Sequence, residues 1–137
     1  MSALAFFDTN VLIYADDSSS LKKQKRAMAL VAEHLRAQTA VVSLQVLQEY
    51  FVAVTRKLGL TPEAAQRKVE ILAKARVVRF EPADVIAAIE LHRLRQISFW
   101  DALIVHAARC AGAAVLYSED LQARAVLGGV RVVNPFA

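Results

Sequence analysis

Short apolar runs alternate along this chain with longer segments of helical periodicity, and this alternation restricts the fold more than any other feature. Short apolar runs bounded by turn residues predict buried strands, whereas a 3.6-residue apolar period predicts helices. Strands that alternate with helices build a mainly parallel sheet, covered by helices on both faces through right-handed crossovers. We therefore predict an α/β protein with a mainly parallel sheet of five strands.

The predicted elements are bounded by ordinary start and stop signals. Ser43 and Thr61 are predicted helix caps, and Gly59 and Gly112 are predicted helix ends. The predicted strands cover 3–7, 40–42, 77–80, 113–117 and 130–133. A first helix is predicted to begin directly after Asp8. Further helices are predicted over 21–36, 44–58, 62–75, 82–95 and 100–111, with a short helix within 120–127.

Composition indicates one folded domain spanning residues 1–137. Hydrophobic residues make up 56% of the chain, which is enough for a sizeable core. The apolar stretches are shorter than the ~20 residues that a membrane helix needs, and the N-terminus lacks the basic region of a signal peptide. Cys110 is the single cysteine, which excludes an internal disulfide and a cysteine-rich metal site. We therefore expect a cytoplasmic protein without a membrane segment.

The charge balance favours a polyanionic partner. Seventeen basic residues against thirteen acidic ones give a formal net charge of +4 and a pI near 9.5. An excess of this sign favours RNA or DNA over acidic partners. Lys22, Lys23, Lys25 and Arg26 form a basic cluster on one predicted helix, and a solvated helix face explains this cluster better than nucleic-acid contact does.

Four acidic residues lie at positions where the requirements of folding alone do not readily explain a carboxylate. They are Asp8, Glu49, Asp101 and Asp120. Asp8 and Asp120 follow apolar runs predicted as strands, and parallel strands end at one edge of the sheet, where α/β proteins bind ligands. Carboxylates gathered there repel one another unless a divalent cation joins them. The sequence therefore predicts a metal site, and the oxygen ligands favour Mg²⁺ or Mn²⁺ over zinc.

Each of these acids also has a purely structural interpretation. Asp8 can cap the following helix. Asp101 stands three positions after Ser98, the spacing of a capping box. Glu49 lies away from the apolar stripe of its helix, as a solvated charge would.

The fourth acid shares its turn with a neighbouring acid. Glu119 and Asp120 follow a predicted strand in an ordinary polar turn, and spacing does not decide which of them faces the site. We assign Asp120 to the site and Glu119 to solvent. Ser118 is placed to donate a hydrogen bond nearby.

The order of the short motifs resembles the PIN-domain ribonucleases, and most closely the VapC-type toxins of toxin–antitoxin pairs. The motifs are FFDTNVLIY, SLQVLQE, FWDALIVHAA and LYSEDLQ. The resemblance implies a PIN-like three-layer α/β/α fold with a twisted sheet. It implies that Asp8, Glu49, Asp101 and Asp120 are catalytic and metal-binding, with Thr9, Asn10 and Ser118 as supporting polar residues. It also implies Mg²⁺ or Mn²⁺, an RNA substrate, a homodimer and a small antitoxin protein.

The predicted reaction is hydrolysis of an RNA phosphodiester by metal-activated water. A PIN-like RNA- or protein-binding module without activity is the alternative within the same fold. A phosphoacceptor receiver-type domain needs an Asp after a central strand and a Lys after the last one, but here Glu81 and Asn134 occupy those places. A haloacid-dehalogenase-like phosphatase needs a second Asp where Asn10 stands.

Overall fold

A computed structural model describes residues 3–121 and 126–137, and its centre is a sheet of six strands. Five of the strands run parallel to their neighbours, and the sixth is antiparallel. The strands are β1 (Ala5–Phe7), β2 (Ala40–Ser43), β3 (Arg76–Val78), β4 (Val115–Tyr117), β5 (Val126–Leu127) and β6 (Val130–Val133), in the spatial order β3-β2-β1-β4-β6-β5.

The helices pack in two groups, and members of both groups contact β2, so the sheet lies between them. The first group is α1 (Thr9–Tyr14), α2 (Leu21–Ala37), α3 (Leu44–Arg56) and α4 (Pro62–Leu72), and the second is α5 (Pro82–Arg95) and α6 (Phe99–Cys110). None of the helices within the described residues is both long and apolar enough to cross a lipid bilayer.

The central strand β1 sets the position of the site. Its residues are fully buried, and it pairs in parallel with β2 on one side and β4 on the other. Phe7 lies opposite Tyr117, and the Asp8 N–H donates to the Tyr117 carbonyl across 3.0 Å. The chain segments that follow β1 and β4 therefore leave the sheet side by side. Residues 102–108 of α6 are all buried, which explains the strongly apolar sequence of this helix.

The predicted α/β fold with a mainly parallel sheet is confirmed, but the predicted number of strands is wrong. Val126–Leu127 form β5 instead of the end of a short helix, and they pair antiparallel with β6. Gly128 and Gly129 both have positive φ (58° and 83°), which is the requirement of a two-residue hairpin turn. Residues 122–125, where the rest of that helix was predicted, lie outside the described residues.

Candidate active site

Asp8 leaves the end of β1 and caps α1. Its side chain is only 7% exposed. The Thr9 N–H donates to Oδ1 across 2.7 Å, and the Ser118 hydroxyl donates to Oδ2 across 2.7 Å. Burial raises the pKa of Asp8 to about 6, and the charges of Asp101 and Asp120 add to the rise. Asp8 therefore caps the helix, and its buried carboxylate is also repelled by the charges of Asp101 and Asp120.

Asp101 lies in the first turn of α6. The Ser98 hydroxyl caps the helix by accepting a hydrogen bond from the Asp101 N–H across 3.0 Å. Among the described residues, the Asp101 carboxylate does not return a bond to the Ser98 N–H, so the capping box is half formed. Burial raises the pKa of Asp101, and the charges of Asp120 and Glu49 raise it further. Asp101 thus lies within electrostatic range of two other acids of the predicted set.

The turn after β4 separates its two acids. Asp120 accepts a hydrogen bond from the Asn10 side-chain amide at the start of α1. Glu119 turns the other way, where it forms a salt bridge with Lys23 and accepts a hydrogen bond from the Tyr14 hydroxyl. The hydrogen bond from Lys23 holds the pKa of Glu119 below its usual range. Asp120 is therefore the member of the pair that lies beside the other acids.

Glu49 is exposed on α3, as its helical position indicates, but it is held in place. The Thr9 hydroxyl donates to Oε1 across 2.7 Å, and the Gln45 amide donates to Oε2 across 3.3 Å. Because Thr9 also supports Asp8 through its backbone N–H, the start of α1 fixes two acids that lie far apart in sequence.

The four predicted acids line a single cavity of about 630 Å³ at the carboxyl edge of the sheet. Several other polar or aromatic residues also line it, and no sequence motif predicts a site role for them, although the helical wheel places Glu49 near Gln45 and Arg56. Those residues are Gln45, Gln48, Arg56, Lys57 and Trp100.

The donor chemistry of this cavity fits a hard divalent cation. All four acids offer oxygen atoms, and none of the salt bridges formed by the described residues involves any of them. The raised pKa of Asp8 shows that the buried negative charge is under-compensated. The oxygens are nevertheless spread around the cavity, because no three of the four acids bring ligand atoms within 4.8 Å of one another.

A tighter cluster of potential ligands lies elsewhere, between α5 and α6. Within the described part of the chain, the ligand atoms of Asp84, His106 and Cys110 lie within 4.8 Å of one another. His106 Nε2 lies 2.9 Å from Asp84 Oδ1, and Arg109 Nη2 lies 2.6 Å from His106 Nδ1. Asp84 also completes the capping box of α5 with Glu81. Hydrogen bonds and the Arg109 charge already satisfy this cluster, so its chemistry does not call for a cation.

Comparison with known proteins gives a consistent picture of the fold. A family model described as PIN domain matches residues 5–127. No curated protein matches the chain in sequence. Among solved structures, a toxin–antitoxin complex from Klebsiella pneumoniae is 22% identical over 96% of this chain and 97% of that one, with a TM-score of 0.67.

Two further solved structures are similar to this chain over most of their length. VapC20 from Mycobacterium tuberculosis, described as a Sarcin-Ricin loop cleaving toxin, is 23% identical over 85% of this chain and 89% of that one, with a TM-score of 0.68. VapBC2 from Rickettsia felis, bound to a DNA fragment from its promoter, is 20% identical over 94% and 96%, with a TM-score of 0.65. At these identities the likeness establishes the fold.

Proposed function

The chain belongs to the PIN domain family, and from this premise we propose that it is a metal-dependent endoribonuclease. Residues 1–137 would act as one domain, with the catalytic and metal-binding side chains at the carboxyl edge of its sheet. The observation that carries the proposal is the shared cavity of about 630 Å³, which four acids from four separate chain segments line together.

The proposed metal ligands are Asp8, Asp101 and Asp120, with Glu49 completing the set. Small shifts of exposed side chains are required to draw their oxygens together, because the acids now lie apart around the cavity. Carboxylate oxygens suit Mg²⁺ or Mn²⁺. When bound, such an ion lowers the pKa of water and polarises a phosphoryl oxygen.

The residues of the chain supply positioning for the reaction. Glu49 is proposed to orient the attacking water, since the Thr9 hydroxyl fixes one of its oxygens at 2.7 Å. Water adds to phosphorus, and the bond from phosphorus to the 3′ oxygen breaks. The products then carry 5′-phosphate and 3′-hydroxyl ends. Arg56 and Lys57 line the same cavity and are placed to hold phosphates next to the cleaved one.

A cleavage assay tests this proposal. Purified protein is incubated with single-stranded RNA and Mg²⁺ or Mn²⁺, with an EDTA control and with Asp101→Asn as the inactive variant. We expect cleavage that needs the metal and that is lost in the variant while its circular dichroism spectrum is unchanged. Metal-independent cleavage, or equal cleavage by both proteins, contradicts the proposal. RNA binding without cleavage supports the inactive binding module instead.

We further propose that the protein is the toxin of a type II toxin–antitoxin pair and acts in the cytoplasm as a homodimer. Support comes from the similar structures that are toxin–antitoxin complexes. It also comes from a largely apolar surface cavity of about 570 Å³ between α3 and α4, a kind of surface that protein partners cover. Its apolar lining is formed by Leu44, Leu47, Phe51, Val52, Pro62 and Val69.

Two measurements test the partner proposals separately. Light scattering after gel filtration is expected to give a mass of twice 15.0 kDa for the homodimer. Co-expression with the product of an adjacent small gene is expected to give a stable complex without ribonuclease activity. A monomer at high concentration contradicts the first proposal, and the absence of any such gene contradicts the second.

A further inference from the structure

Trp100 is an exposed aromatic side chain beside the acidic cavity. It is 62% exposed, although it precedes Asp101 directly and stands at the start of α6, whose residues 102–108 are all buried. The neighbouring Phe99 packs against the core, and the Trp100 ring meets the Phe99 ring edge-on at 5.4 Å. Phe99 can therefore supply the hydrophobic contact that the helix start needs. An indole left in solvent at this position has no evident role in folding.

A second cavity adjoins the acidic one at Trp100. Its volume is about 300 Å³, and it shares Trp100, Gln45 and Gln48 with the acidic cavity. The size and the largely apolar lining are typical of a small-ligand subsite with a few polar groups. Glutamine amides both donate and accept hydrogen bonds, as the edges of nucleobases do. The remaining lining residues are Ser43, Leu44, Val78, Phe80, Val85 and Leu103.

The opposite end of the acidic cavity is basic. Arg56 and Lys57 line it there, and Lys57 also lines a third cavity of about 410 Å³. Gln45, Glu49 and Arg56 are spaced at i, i+4 and i+11, which places them on one face of α3. At 1.5 Å per residue, Gln45 and Lys57 lie about 18 Å apart along that helix. An amide end, an acidic centre and a basic end therefore follow one another along a continuous groove.

We propose that Trp100 is the stacking platform for an unpaired base of the RNA strand whose backbone crosses the acids. This inference rests on the proposed ribonuclease function and names its substrate class as RNA with an unpaired base beside the cleaved phosphate. Bases stack on aromatic rings without regard to sequence, and the backbone is held by basic side chains. Gln45 and Gln48 then contact the edge of the stacked base, while Arg56 and Lys57 hold phosphates farther along. Trp100 acts as a positioning residue and touches no reacting atom.

The chain offers a direct spectroscopic probe, because Trp100 is its only tryptophan. Full-length Asp101→Asn protein is titrated with a ten-nucleotide single-stranded RNA while intrinsic fluorescence is recorded. Stacking is expected to quench this fluorescence in a saturable way. The same oligomer without bases (abasic throughout) is expected to leave the fluorescence unchanged. Because this variant is not required to cleave RNA, the measurement tests stacking separately from catalysis.

Substitutions test the same contact through affinity. In the Asp101→Asn background, Trp100→Leu is expected to weaken RNA binding about tenfold to a hundredfold by fluorescence anisotropy of labelled RNA, and Trp100→Phe to restore most of it. Phe51→Leu is the matched control, since Phe51 is an exposed aromatic on α3 that lines neither the acidic cavity nor the second cavity at Trp100. With abasic RNA, Trp100→Leu is expected to bind as the parent does.

The outcomes separate this inference from the proposed function. Unquenched fluorescence together with unchanged affinity in Trp100→Leu overturns the inference, even where the wild-type protein cleaves RNA. Changed oligomeric state with unchanged RNA affinity also overturns it, because Trp100 would then serve a protein interface. Quenching and the predicted loss of affinity, combined with a wild-type protein that never cleaves, support the inference and overturn the ribonuclease proposal.

Discussion

Ser118 and Asp8, 110 positions apart in the sequence, are joined by a hydrogen bond of 2.7 Å from the serine hydroxyl to Oδ2 of the aspartate. The bond ties the segment after β4 to the segment after β1. Ser118 is fully buried and also accepts a hydrogen bond from the Leu121 N–H across 3.2 Å. It therefore fixes both the carboxylate of Asp8 and the turn that carries Asp120.

Ser118→Ala is expected to raise the pKa of Asp8 further, because the hydrogen bond from Ser118 stabilises the ionised carboxylate. A hydrogen bond to a charged group contributes about 1.5–3 kcal/mol, which corresponds to about one to two pKa units. NMR titration of the Asp8 carboxyl carbon measures the change. Ser43→Ala removes another buried capping serine, and it is expected to cost stability while leaving the Asp8 pKa in place.

Much of the fold follows from short-range signals in the sequence. The caps at Ser43, Thr61 and Ser98 each accept the predicted hydrogen bond. The strand β5 escaped prediction because two residues are too few to show a period, and a pair of glycines reads equally well as a helix stop. Its partner β6 is what makes it a strand, and pairing between strands is not visible in local periodicity.

In the candidate site too, some residues could be located from local sequence signals, whereas the positions of others depend on long-range packing. Asp8 was located by its place after a strand, and the structure puts it at the predicted sheet edge. The proximity of Glu49 to Asp8 depends on how α1 packs against α3, which no local pattern specifies. The apolar residues that follow Trp100 in the sequence favour a core position for it, yet its side chain in the first turn of α6 is largely exposed. Long-range packing, not propensity, decides such positions.

Asp8→Asn is expected to stabilise the metal-free protein at pH 7. Folding raises the pKa of Asp8 from 3.8 to about 6, so the folded state holds the proton more tightly than the unfolded state. The free energy of unfolding therefore falls as pH rises from 3.8 to about 6, by about 3 kcal/mol in all, and stays lower above that range. The amide carries no charge and avoids this loss.

Urea unfolding in EDTA between pH 4 and pH 8 measures that difference. The Asn variant is expected to lose the downward slope, and its advantage over the wild type is expected to grow with pH. Asp17→Asn is the control, because hydrogen bonds from Ser19 hold the pKa of Asp17 below its usual value. This variant keeps Asp8, so its free energy of unfolding is expected to fall with pH as that of the wild type does. An Asn variant that is less stable than the wild type at pH 7 contradicts the burial argument.

Mn²⁺ is expected to offset most of the stability difference between the wild-type protein and Asp8→Asn. Binding to the folded state alone stabilises by about 2.7 kcal/mol when the ion is present at about 100 times its Kd. The wild-type melting temperature is expected to rise by several degrees with millimolar Mn²⁺, and that of Asp8→Asn to stay nearly constant. KCl at equal ionic strength controls for screening of the acids. An identical rise in both proteins places the binding elsewhere, for example at Asp84.

Thr9→Val is expected to lower the turnover of RNA about tenfold without unfolding the protein. Valine keeps the shape of threonine and the backbone bond to Asp8, but it removes the hydroxyl that holds Glu49 at 2.7 Å. A freed Glu49 side chain samples more rotamers and orients water less often. Thr55→Val is the control, because the Thr55 hydroxyl donates to the Phe51 and Val52 backbone carbonyls of its own helix and, within the described residues, to no acid of the cavity. Equal turnover in both variants argues against a role for the bond.

Substitutions of Ser98 and Asp101, both at the start of α6, are expected to distinguish an effect on folding from an effect on catalysis. Ser98→Ala removes the cap that accepts from the Asp101 N–H and is expected to lower the free energy of unfolding by about 1 kcal/mol. Ser98→Asn is expected to restore that stability. Turnover is expected to survive both changes, because the Asp101 carboxylate remains.

Asp101→Asn is expected to have the opposite profile. Burial and neighbouring acids raise the pKa of Asp101, so the neutral amide relieves repulsion and the fold is retained. Turnover is expected to fall more than a hundredfold, because removing a group that acts directly on a transition state commonly costs about 10²–10³. Cleavage assays and urea unfolding of all three variants give the comparison. An Asp101→Asn protein that unfolds, beside a Ser98→Ala protein that is unchanged, assigns this carboxylate to helix capping instead of chemistry.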